Sequence, residues 1–289
     1  MSTTGLLDTH PLRPPGVAAA PLPRGAPAAG APNWPSFRGT PQLAGTSQSQ
    51  VSVYVDASLG AQALQNANDL LASADAVVAK NNAIFAIHGG ATNVIIFALN
   101  GQTDGTGGAD HGGCNFTTGN NIEVDASYGS SSRVTALFEA ELSECAMNGN
   151  LCGLSTGEAL SRWCAAVVSN NALVDFATAP QWAQDGMANW VDRTDQNDQS
   201  ADSTGCGTAF LSWLLSQNHT LMTIAQDMVK LGDSGTLAAL YATLTGDQAT
   251  NAWQKFHSAI QALPAGVTSD DPFGAFPAAS SAVASAVGG

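Results

Sequence analysis

Charge is what this sequence has least of. Asp, Glu, Lys and Arg together make up 11% of its 289 residues, against about 25% in an ordinary soluble domain. Cations are scarcest: nine Lys and Arg stand against 23 Asp and Glu, for a net charge of −14. That balance excludes nucleic acid and anionic membrane surfaces as partners, because both are held by clustered Lys and Arg. No apolar run approaches the ~18 residues needed to cross a bilayer, so no membrane span is expected. The opening stretch MSTTGLLDTHPLRPPGVAAAPLPRG has no basic segment followed by a continuous apolar one, so no signal peptide is recognised. Also missing are CxxC pairs and any regular zinc-module spacing. The five cysteines (Cys114, Cys145, Cys152, Cys164 and Cys206) are odd in number, so at least one is unpaired within the chain. Two readings stay open for them: buried free thiols, or a local disulfide between Cys145 and Cys152. The Gly-rich run GTGGADHGG lacks the Lys-Ser/Thr of a phosphate cradle and reads as an edge loop.

What is present is an apolar fraction of 44%, enough for a sizeable core. Residues 1–48 are rich in Pro, Ala and Gly without period 2 or 3.6, and are expected to be a disordered arm. The stretch 264–289 has a similar composition and is expected to be a disordered tail, leaving one folded domain over 49–263. Within it, QVSVYVDAS (50–58) alternates as a strand, and 61–80 repeats apolar residues at helical spacing. NVIIFALN (93–100) is a buried strand, and NNIEVDAS (120–127) is the second arm of a polar hairpin. Helices are predicted over 131–147, 156–168, 207–217, 220–231, 234–246 and 251–263, with an acidic loop at 190–205. A strand-bearing first half and a helical second half make an α+β fold.

The helix over 131–147 carries the informative residues. Val134, Leu137, Phe138, Leu142 and Cys145 form one apolar stripe, and Glu141 sits on it where a leucine is expected. A carboxylate there costs several kcal/mol unless it finds a partner, a metal or a proton. An ion pair with an arginine such as Arg162, or a cap on backbone groups, is the plain structural reading. Glu144 borders the same face, and Glu139 points away from it, toward water.

The order strand, long helix, strand, polar edge strand, strand, then a helix with a buried Glu resembles the zincin metallopeptidase domain. In zincins that helix carries HExxH, in which two histidines bind zinc and the Glu between them activates water. In the gluzincin branch the next helix adds a glutamate as third ligand. Here the matching segment is AELSE, which is similar to a group of bacterial proteins that keep it. The resemblance places Glu141 at the catalytic base and Glu144 at the second ligand. It places Glu158, in TGEALSR, at the third ligand, while Ala140 stands at the first and has no donor atom. GCGTAFLSWLLSQ (205–217) is similar to the helix that follows zincin active sites, so the likeness spans about residues 50 to 217.

The implied function is that of a metallopeptidase-like protein with a degenerate metal site, inactive or altered as a zinc peptidase. A set of carboxylates suits a hard cation such as Ca²⁺ better than zinc, so the cofactor stays open between Zn and Ca. The alternative is a non-enzymatic binding or structural module on the same scaffold, with a peptide or protein as partner. His111, in ADHGGC, is an extra metal-ligand candidate from the edge strand, although a polar-loop histidine is ordinarily solvated. Asp192, Asp195, Asp198 and Asp202 lack EF-hand spacing and read as a solvated loop. Cys206 stands between two glycines at a helix start, where either packing or a lowered thiol pKa is expected.

Overall fold

The computed structural model describes residues 32–98, 108–114, 120–125, 131–170 and 177–287. Among these the fold is mixed α+β, with a five-stranded sheet and nine α-helices. The sheet is built on β2 (Val51–Asp56), whose Val51, Val53 and Val55 are buried on one face. On one side lies β1 (Pro41–Thr46), antiparallel to it, and on the other β3 (Thr92–Phe97), parallel. β5 (Asn120–Asp125) runs parallel to β3, and the short β4 (Ala109–His111) closes the edge antiparallel to β5. The order is therefore β1-β2-β3-β5-β4.

α1 (Ala61–Phe85) joins β2 to β3 and outruns its predicted end by five residues. Asn81, Ile84 and Phe85 continue the buried face, and Ala86, in the left-handed conformation, ends the helix by donating to the Asn82 carbonyl. α2 (Ser131–Ala146) and α3 (Ser155–Ser169) follow, and α2 packs against α1, β5, β4 and α3. α4 (Thr178–Gln184), α5 (Ala201–Ser216), α6 (Leu221–Leu231), α7 (Leu237–Thr245) and α8 (Ala252–Gln261) complete the helical half. Ser200, Thr220 and Thr236 cap α5, α6 and α7 through their side-chain oxygens.

α5 begins six residues before the predicted helix, inside the stretch expected to be an acidic loop. Its Gly205 explains the misreading. A Cβ there would lie 2.1 Å from the Thr178 carbonyl oxygen. The glycine lets α5 approach α4 backbone to backbone, so it marks close packing and not a turn.

Both expected disordered ends need correction inside the described residues. Trp34 and Phe37 cover Ile95 and Phe97 on the sheet face away from the helices, β1 spans 41–46, and the Ser36 and Phe37 amides donate to the Glu123 carboxylate. Two aromatic residues in a Pro- and Ala-rich segment suffice to cover a strand that is apolar on both faces. The remainder of the expected arm, residues 1–31, lies outside the described residues. At the other end α9 (Phe276–Val287) buries Ala279 and Val283 against α1, α3 and α5. Asp271 starts it by accepting from the Ala275 and Phe276 amides at 2.9 and 3.0 Å. Small residues that read as low complexity are there because the helix packs closely.

Candidate functional site

The expected apolar stripe of α2 is a whole buried cylinder, for every residue from 136 to 147 is buried. The helix is enclosed between α1, the β4–β5 edge and α3, so none of its three glutamates faces water. Glu139, expected to point to solvent, is fully buried, and neither of its carboxyl oxygens has a hydrogen-bond partner among the described residues. Burial drives its pKa well above the ordinary value, and the Lys80 charge only partly offsets this.

On the other side of α2, β4 delivers His111 to Glu141 and Glu144. The imidazole Nε2 lies 3.1 Å from Glu144 Oε2 and 3.8 Å from Glu141 Oε2. The ring is fixed from behind, since Nδ1 donates to the Gly113 carbonyl at 2.8 Å. That bond sets the tautomer and leaves Nε2 facing the acids. His111 is thus a buried member of the cluster and not a solvated loop residue; the edge strand, invisible as such in ADH, turns it inward.

The electrostatics follow from enclosure. Burial pulls the His111 pKa down, but hydrogen bonds with Cys145 and Glu144 and the Glu141 charge outweigh it and hold the ring well above its ordinary value. Glu144 is raised by burial, against the pull of His111, and the charge of the nearby Glu158 carboxyl raises it further. Cys145, beside the same ring, is raised by burial.

Glu158, on the first turn of α3, acts on Glu144 through its charge but is held from behind. Arg162, one turn on, donates Nε–H to Glu158 Oε1 at 3.0 Å and an NH1 hydrogen to Thr178 Oγ1 at 2.6 Å. Asp270 completes the chain, accepting from Thr178 Oγ1 and from the Ala179 amide at 3.2 and 2.6 Å. Arg162, the arginine expected to neutralise Glu141, is ion-paired instead with Glu158, and its own helix sets that choice. The structure thus brings Glu141, Glu144 and His111 together and sets Glu158 against Glu144. Asp270 and Thr178, also in the network, were not foreseen, because no local pattern marks a residue 92 positions away as a partner.

The cysteines resolve differently from the local pairing considered above. Cys114 is bonded to Cys152, with Cα atoms 6.1 Å apart, and Cys145, Cys164 and Cys206 are free and buried. Asn148, Gly149, Leu151 and Gly153 all have positive φ, and this wound loop turns Cys152 away from α2 toward β4. Cys206 is fully buried and its thiol is pushed up to about 12 by burial, so the helix start does not activate it. Cys164 is likewise held protonated. We expect Cys164 and Cys206 to resist maleimide in the native chain near pH 8 and to react on unfolding, as mass spectrometry of labelled peptides would read. Rapid native labelling of Cys206 would contradict its burial.

No family model, curated protein or solved structure matches the chain. Among the described residues no helix is long and apolar enough to cross a membrane.

Proposed function

We propose that this chain is a metallopeptidase-like protein on a zincin-like scaffold whose centre has lost zinc-peptidase chemistry and persists as a binding or structural module. The observation that carries the reading is the place of His111. Its ring stands among Glu141 and Glu144, the two residues that the resemblance assigns to base and ligand. In a working zinc peptidase the cation stands among such groups and keeps one position open to water. Here Ala140 offers no donor, Glu158 is engaged by Arg162, and the cluster is closed to solvent. This donor set does not fit hydrolytic zinc. The sheet order, with a short antiparallel strand at the edge beside the acid-bearing helix, supports the scaffold assignment.

A second reading has its own observation. The ligand atoms of His111, Glu141 and Glu144 all lie within 4.8 Å of one another, and with Nδ1 bonded to Gly113 it is Nε2 that would face an ion, once the ion displaces its proton. One nitrogen and two carboxylates would supply part of the coordination of a divalent cation.

Peptidase assay of the wild type against Glu141→Gln tests the first reading, and both are expected at background. Removal of a working general base costs about 10²–10⁴-fold, so a peptide-cleaving wild type that loses activity on this scale would overturn it. Elemental analysis of the chain after dialysis against Zn²⁺ or Ca²⁺ tests the second. One retained ion, lost in His111→Ala, would select it.

A further inference from the structure

Among the described residues His111 is shared by two groups of metal-ligating side chains, and only one is made of acids. In the other, a ring nitrogen of His111 and the sulfurs of Cys114 and Cys152 lie within 4.8 Å of one another. We infer that the Cys114–Cys152 disulfide is a redox gate, and that its reduction creates a zinc site from His111, Cys114 and Cys152. The inference does not rest on the peptidase-like reading; the two share only His111.

Three features of the geometry carry it. The first is access: the two cysteines are half-buried, while His111 behind them is buried. Neither cysteine is sealed in the core as His111 is. The second is anchoring that does not depend on the S–S bond. On the β4 side, His111 is in register with Ile122, the Gly112 amide donates to the Asn121 carbonyl at 2.8 Å, and the Gly113 carbonyl accepts from Cys145 Sγ at 3.4 Å. On the other side, the Leu151 amide donates to Asp233 Oδ1 at 2.6 Å and the Leu154 amide to the Leu151 carbonyl at 3.1 Å. The two thiols therefore stay near each other once the bond is cut. The third is donor chemistry. Two thiolates and one imidazole are a borderline-soft set that selects zinc over Ca²⁺ or Mg²⁺. With Zn–S bonds of ~2.3 Å in a tetrahedral site, the sulfurs need separate only to roughly 3.8 Å.

The chemistry balances with a dithiol as reductant. Its thiolate attacks one sulfur of the pair, a mixed disulfide forms, and its second thiol releases the chain. Two electrons and two protons pass to Cys114 and Cys152, and the dithiol ends as a disulfide. Zinc then takes the place of the two thiol protons and of the proton on the ligating ring nitrogen of His111, and all three leave to solvent. In the oxidised chain the imidazole belongs to the acids; in the reduced chain it serves the metal.

The test uses the full chain, Co²⁺ as a spectroscopic stand-in for zinc, and a phosphine reductant that becomes its oxide with an oxygen from water. Far-UV circular dichroism follows the fold throughout. Reduced wild type is expected to take up one Co²⁺ with thiolate charge-transfer absorption, and Zn²⁺ should abolish the band. Oxidised wild type should show no such band, even if the acids hold cobalt, which keeps this outcome separate from the readings above. Cys114→Ser, Cys152→Ser and His111→Ala should each lose or strongly weaken it after reduction. A folded, reduced wild type without the band, or a band unchanged in Cys114→Ser, overturns the inference. If reduction unfolds the chain, recovery of the helical signal on adding Zn²⁺ supports the site, and failure to recover overturns it.

Discussion

Replacing Arg162 by methionine is expected to destabilise the chain by about 3–5 kcal/mol, the usual effect of removing one partner from a buried ion pair. The guanidinium is 1% exposed, and it is the cation set against Glu158 and Asp270. Burial raises the Asp270 pKa, and the Arg162 charge acts to lower it. Without Arg162, two enclosed carboxyl groups lose their counter-charge, and Glu158 already bears on Glu144. The loss should appear as a lowered urea midpoint. Arg162→Lys should recover only part of it, since a lysine cannot reach Glu158 and Thr178 through two separate N–H groups. Lys255, paired with Asp247 at the surface, is the control, and its replacement should leave the midpoint nearly unchanged. An Arg162→Met chain as stable as the wild type would show that the network does not hold the helices together.

Replacing Glu139 by leucine is expected to have the opposite sign. Its carboxyl is fully buried, has no hydrogen-bond partner among the described residues, and has the Lys80 charge to offset its burial in part. An unsatisfied buried polar group costs about 1–3 kcal/mol, and leucine fills a similar volume without that cost. The gain should depend on pH, and its direction follows from linkage. The folded pKa lies above the ordinary value, so the native chain holds a proton that the unfolded chain has released. The stability this contributes is complete below the ordinary carboxyl value near 4.5 and falls as pH rises toward the folded value. The leucine variant has no such loss. Its advantage should therefore be smaller near pH 4 than near pH 8, as urea titrations at both would show. A variant less stable than wild type at every pH would mean that Glu139 does structural work its surroundings do not reveal.

These two expectations mark where local pattern stops being informative. The alternation of Val51, Val53 and Val55, the continuous run in β3 and the helical periodicity of 61–80 were legible, because each reflects the side-chain period of one element. Glu141 was legible as a misplaced acid for the same reason. The partners of these acids were not. Ser131–Ala146 reads as a helix with one buried face, but α1, α3 and the sheet edge cover all its faces, so Glu139 is enclosed with the rest. Gly205 reads as loop although it is a point of backbone contact. Trp34, Phe37 and α9 lay in segments whose composition suggested no order, since a few well-placed aromatics or alanines weigh little in an average.

By itself the sequence determined an α+β chain, poor in cations, with an acid on the buried face of the helix that carries AELSE and a further acid on the helix after it. Periodicity and composition suffice for that, because both are properties of neighbours along the chain. Only the tertiary structure decided what those acids meet. It set the His111 ring against Glu141 and Glu144, gave Arg162 to Glu158, and joined Cys114 to Cys152 across 38 residues. Each of these depends on which strand lies at the sheet edge and how the loop after α2 turns. Non-local pairing of that kind is fixed by packing, and no residue's immediate neighbours encode it.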